Sequence, residues 1–137
     1  MRFMMFMYPE IDEKEWLGGD SDAAVSAEMV EAMGRYNEEL RRAGMLLALD
    51  GLHPPGSDGG TVVFDADGAT TVTDGPFAET KEVVGGYWVI QARSKEEALE
   101  WAKRCPCQNC RIEVRRVQEM EDFPPEIQAA VESGGSE

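Results

Sequence analysis

Basic residues are scarce in this chain. Its 137 residues carry 13 Lys+Arg against 27 Asp+Glu, a formal charge of −14. That scarcity argues against direct nucleic-acid binding, which needs a basic face for phosphates. It also argues against adhesion to anionic membrane surfaces. No stretch approaches the ~18 apolar residues of a membrane span. The apolar start Met1–Tyr8 is too short for a secretory signal, and no small-residue cleavage site follows it. Three cysteines, an odd number, do not suit a secreted disulfide framework, so a reduced, cytoplasmic protein is expected. Gly56–Gly60 lacks the Lys and the strand-to-helix context of a phosphate loop, and no G-x-S-x-G nucleophile motif occurs.

What is present is ordinary globular material. Apolar residues make up 42% and charged residues 29%, enough for one hydrophobic core without a metal or disulfide. The negative charge is unevenly placed. Pro9–Asp22 holds six acids and only Lys14, and Glu119–Glu137 holds six acids and no base. The rest is close to neutral. One domain over residues 1–118 is expected, followed by an acidic C-terminal extension, 119–137, with a short helix opened by Pro124-Pro125 and a disordered end from Glu132.

The pattern alternates strands and helices. MRFMMFMY, stopped by Pro9, reads as a buried strand. From about Asp22, Val25, Met29, Met33, Tyr36 and Leu40 recur at helical spacing, ending near Gly44. Met45–Leu52 is a second strand. Thr61–Phe64 and Thr70–Thr73 flank Asp67-Gly68, a hairpin turn signal. Gly86–Ala92 is aromatic and β-branched, hence a strand. Ser94 and Glu97 form a capping box for a helix with Ala98, Trp101, Ala102 and Cys105 on its apolar face. Arg111–Val117 alternates as a half-buried strand. Setting the hairpin aside, the order β-α-β-β-α-β is the split form of a ferredoxin-like α+β fold. The first strand is apolar on both sides, and nothing else in the chain is large enough to cover the second sheet face. A second copy is the simplest cover, so a homodimer is expected.

Thr73–Glu82, TDGPFAETKE, followed by Gly85-Gly86-Tyr87, resembles the signature of the DGPF family, a branch of the YCII-related proteins. GLHPP at Gly51–Pro55, the Ser-capped EEALEWA helix and the strand IEVR at Ile112–Arg115 fit the same resemblance, which covers about Met1–Val117. It implies a dimeric α+β barrel, two ferredoxin-like sheets packed face to face. It also implies acid–base chemistry, because a His and an Asp recur in a pocket of the smaller members, although their His lies in the first helical region and this chain has none there. A link to extracytoplasmic-function sigma factors, and so to transcription initiation, is implied as well.

The candidate residues are few. His53 is the sole His, and an imidazole is the side chain best suited to general acid or base work near neutral pH. Asp74 either caps the turn at Gly75-Pro76 or orients His53. Lys81 is the only Lys or Arg between Arg42 and Arg93 and suits an anionic substrate group. Tyr8, Tyr87 and Phe77 are placed to close a pocket by packing or hydrogen bonding. Cys105-Pro-Cys107-Gln-Asn-Cys110 has no fourth ligand for zinc. It follows a helix and precedes a strand, the reverse of the context that activates a redox C-x-x-C, so it reads as structural. No metal and no cofactor is expected. The residues thus point to a small cofactor-independent enzyme performing isomerisation or elimination on a small acidic metabolite. The alternative is a non-catalytic dimer that binds an effector or a sigma factor through its acidic segments.

Overall fold

The computed structural model describes residues 1–10, 26–54, 58–73 and 83–134. Strand β1 (Arg2–Pro9) runs to Pro9, which lacks the amide donor needed to continue a ladder on both sides. Helix α1 (Ala27–Arg42) starts at Ser26, whose Oγ accepts the Met29 amide at 3.1 Å, so the helix begins later than its apolar spacing suggests. Positions 22–25 of the expected helix lie outside the described residues. Arg41 and Arg42 occupy its last turn, where the helix dipole favours cations. Strand β2 (Leu46–Gly51) follows.

Strands β3 (Thr61–Phe64) and β4 (Thr70–Thr73) pair with each other as a separate ribbon. Their turn is built by Asp65, whose Oδ1 accepts the amides of Asp67 and Ala69, both at 2.9 Å. Gly68 supplies the left-handed φ of 86° that the turn needs. Strand β5 (Gly86–Gln91), helix α2 (Lys95–Lys103) and strand β6 (Cys110–Arg116) complete the body. A 3-10 turn over Met120–Asp122 and helix α3 (Pro125–Gly134) follow. Helix α3 runs past Val131 to Gly134, three residues further than the expected short helix. Residues 135–137 lie outside the described residues.

The main sheet has the order β2-β5-β1-β6, and every neighbouring pair is antiparallel. With the ribbon set aside, this is the arrangement expected of a ferredoxin-like α+β fold. Alternation along the strands sorts the side chains by face. Phe3, Met5, Trp88 and Ile90 are buried with Tyr36 and Leu40 of α1 and Ala98 of α2, forming the core. Met4, Phe6, Tyr8, Tyr87 and Val89 project from the other face and are only half-buried.

Two cross-links hold the edges. Arg2 donates to both carboxylate oxygens of Glu119 at 2.8 Å, tying β1 to the start of the C-terminal extension. Cys107 and Cys110 are joined as a disulfide with a Cα separation of 6.2 Å, and Cys105 remains a free thiol. The turn before β6 brings their backbones within disulfide reach. No helix among the described residues is long and apolar enough to cross a membrane.

Candidate functional site

The C-terminal ends of β1 and β2 and the start of β5 meet at one end of the sheet. Three glycines crowd there. The Gly85 amide donates to the Met7 carbonyl at 2.7 Å, and the Leu52 amide to the Gly85 carbonyl at 2.9 Å. Gly86 lies opposite both Met7 and Gly51. A Cβ on Gly86 would stand 3.1 Å from the Asp50 carbonyl oxygen, a tight contact, so the close β2–β5 approach favours glycine.

The missing side chains leave a cavity of about 110 Å³ beneath α1, walled by Met7, Met33, Asn37, Leu49 and Trp88, with Asp50 and Tyr87 at its border. It is mostly apolar and of a size for a small organic group. Asn37 is its polar handle. Its Oδ1 accepts the Trp88 indole N–H at 2.8 Å, which fixes the amide and satisfies the buried ring. Tyr36, one residue earlier, stacks edge-on to Trp88 at 5.8 Å and donates its hydroxyl to the Trp101 carbonyl at 2.7 Å.

Across the sheet from the cavity, Asp50, Tyr87, Phe6 and Glu113 form one cross-strand row. Both ends of the row carry a phenol–carboxylate pair. The Tyr87 hydroxyl donates to Asp50 Oδ2 at 2.6 Å, a short charge-assisted bond. That bond is the leading reason the Tyr87 phenol holds its proton above the ordinary value. Tyr8 donates to Glu113 Oε1 at 3.2 Å, while the Arg111 guanidinium lies 4.0 Å over its ring. Partial burial, then the Glu113 charge, raises the Tyr8 pKa, with Arg111 and Arg115 opposing.

Among the sequence candidates, Tyr8 and Tyr87 are thus brought to one end of the sheet. His53 follows β2 by two residues on the same end, is exposed, and makes no hydrogen bond with another described residue. Asp74, Phe77 and Lys81 lie outside the described residues. Asp50, Asn37 and Glu113 escaped the sequence reading. Their signals were an acid closing the apolar run MLLALD and an amide set among Met33, Tyr36 and Leu40 on the buried helix face. Among the described residues, no group of three His, Cys, Asp or Glu side chains could hold a metal ion.

An antiparallel α+β sheet of this order, with glycines and phenol–carboxylate pairs at one end, defines a small ferredoxin-like domain with a strand-end site. A family model for the YCII-related domain matches residues 1–121, and the chain belongs to that family. It is also 53% identical over 36 residues to an uncharacterized protein of Rhizobium meliloti (strain 1021), a match covering 26% of this chain and 29% of that protein.

Proposed function

We propose that this YCII-related protein is a cofactor-independent acid–base enzyme acting on a small acidic metabolite at the β1–β2–β5 strand ends. The observation that carries the reading is the short Tyr87–Asp50 bond at these strand ends, on the sheet face opposite the apolar cavity, with Asp50 three residues before His53. A cavity of about 110 Å³ suits the apolar part of a small molecule, and Asn37 can orient a carbonyl or hydroxyl beside it. In this reading His53 takes a proton from a carbon next to a carbonyl or carboxylate. It returns the proton at a neighbouring atom in an isomerisation, or the leaving group departs in an elimination. Asp74 orients His53, Lys81 binds the anionic group, and Tyr8, Tyr87 and Phe77 close the site.

Turnover of a panel of small hydroxy acids and acidic lactones tests this. Removing a general acid or base costs typically ~10²–10⁴-fold in rate. His53→Ala is therefore expected to lose about that factor, and Asp74→Asn a smaller one. Unchanged turnover in both variants overturns the assignment.

We also propose that a second copy covers the outer sheet face, completing a dimeric α+β barrel. The half-buried Met4, Phe6 and Val89, adjacent across β1 and β5 on the face away from the helices, support it.

A further inference from the structure

The cysteine segment takes no part in the strand-end site. Cys105, Cys107 and Cys110 line one solvent-open cleft of about 500 Å³ between α2 and β6, with Leu99, Lys103 and Ile112 among its walls. The three are not equivalent. Cys107 and Cys110 stand with their Cα atoms 6.2 Å apart, inside the ~4.4–6.8 Å window of a disulfide. Asn109, between them, holds a left-handed φ of 54°, a conformation asparagine tolerates better than most residues. That turn delivers Cys110 into β6 opposite Pro9, while the Asn109 carbonyl accepts the Glu10 amide at 3.1 Å. Cys105 is set apart as the free thiol, and partial burial pushes that thiol up to about 11, leaving little thiolate at neutral pH.

The pair lies beyond the C-terminal end of α2, where the helix dipole does not stabilise thiolates. This placement favours the disulfide over free thiolates more than a helix N-terminus would. A separation of only three positions keeps the two sulfurs close after reduction, so the bond re-forms readily.

We propose that Cys107 and Cys110 form a reversible thiol–disulfide site that exchanges with low-molecular-weight thiols entering this cleft. A small-molecule thiolate attacks one sulfur of the pair. The Cys107–Cys110 bond breaks, and the expelled cysteine thiolate takes a proton from water. A second small thiolate attacks the mixed disulfide, releasing the oxidised small disulfide and the second cysteine thiolate, which is protonated in turn. Two small thiols are oxidised and one protein disulfide is reduced. Cys105 takes no part. Arg111, next to Cys110, lies over the Tyr8 ring, so the change of state occurs beside the Tyr8–Glu113 pair. The proposal stands independently of the acid–base reading.

Equilibrating the full chain across glutathione/glutathione-disulfide ratios, trapping with iodoacetamide and mapping by mass spectrometry tests it. The expected result is one two-electron transition in which Cys107 and Cys110 gain or lose the label together, unchanged in Cys105→Ser and abolished in Cys107→Ser. Three results overturn it: a pair that stays unlabelled at the most reducing ratio, two thiols that stay labelled at the most oxidising ratio, or a transition that consumes Cys105. The wild-type map decides the matter even if a variant folds poorly.

Discussion

Tyr36 of α1 is buried against Trp88, and its hydroxyl donates to the Trp101 carbonyl. Burial raises its pKa above the ordinary phenol value, and burial also raises the Cys105 thiol, to about 11. Both groups hold their protons more tightly folded than unfolded. The stability this confers is complete below the ordinary values of 9.0 for the thiol and 10.0 for the phenol, and is lost as pH rises above them toward the folded values. Tyr36→Phe should therefore cost about 1 kcal/mol at neutral pH through its lost hydrogen bond. Its stability should also fall less steeply than that of the wild type above pH 10. Urea unfolding at pH 7 and at high pH checks both; parallel declines contradict the assignment. Periodicity places Tyr36 in the core, yet the same periodicity hides Asn37. A lone amide on an apolar stripe declares itself only through the indole N–H it satisfies.

Elements with local chemistry of their own were the most legible in the sequence. The ribbon strands fall where the β-branched runs and Asp67-Gly68 place them. Helix α2 begins at Ser94, whose Oγ accepts the Glu97 amide at 3.1 Å. The reciprocal half of the capping box differs, since Glu97 accepts the Arg93 amide at 2.8 Å, one residue before the cap. That bond, with the Arg93 side chain, holds the Glu97 carboxyl below its ordinary value. Its contribution is present above that ordinary value and is lost as pH falls through the lowered one. Ser94→Ala should destabilise by about 1 kcal/mol in chemical unfolding, and Ser94→Asp should restore most of it. A neutral Ser94→Ala would remove the cap from the account. Element ends were less legible. Helix α1 starts at Ser26 because a side-chain cap outweighs the continuing apolar spacing, and β6 starts at Cys110 because the Asn109 turn, not hydrophobicity, sets its entry.

For the whole molecule, the charge of −14 leaves a body that is near neutral. The extension is not a free tail throughout, because Glu119 and Asp122 pair with Arg2 and Arg116 on the sheet. The fold order follows from the element sequence, but the strand-end site does not. It arises only when register sets Asp50 beside Tyr87 and Phe6 beside Glu113, a long-range pairing that no local pattern encodes. The outer face gives a prediction at this scale. Sedimentation equilibrium should find a dimer, and Phe6→Asp, which sets a charge in the centre of that face, should yield monomers. A wild-type monomer at micromolar concentration contradicts the face-to-face barrel.

In the proposed chemistry His53 moves a substrate proton. The most direct measurement is deuterium exchange from D2O into small carbon acids bearing a carboxylate or lactone, followed by NMR with wild-type protein and with His53→Ala. Exchange at a carbon next to the carbonyl is expected with the wild type, falling at least about 100-fold in the variant. Equal exchange by the two proteins would contradict it.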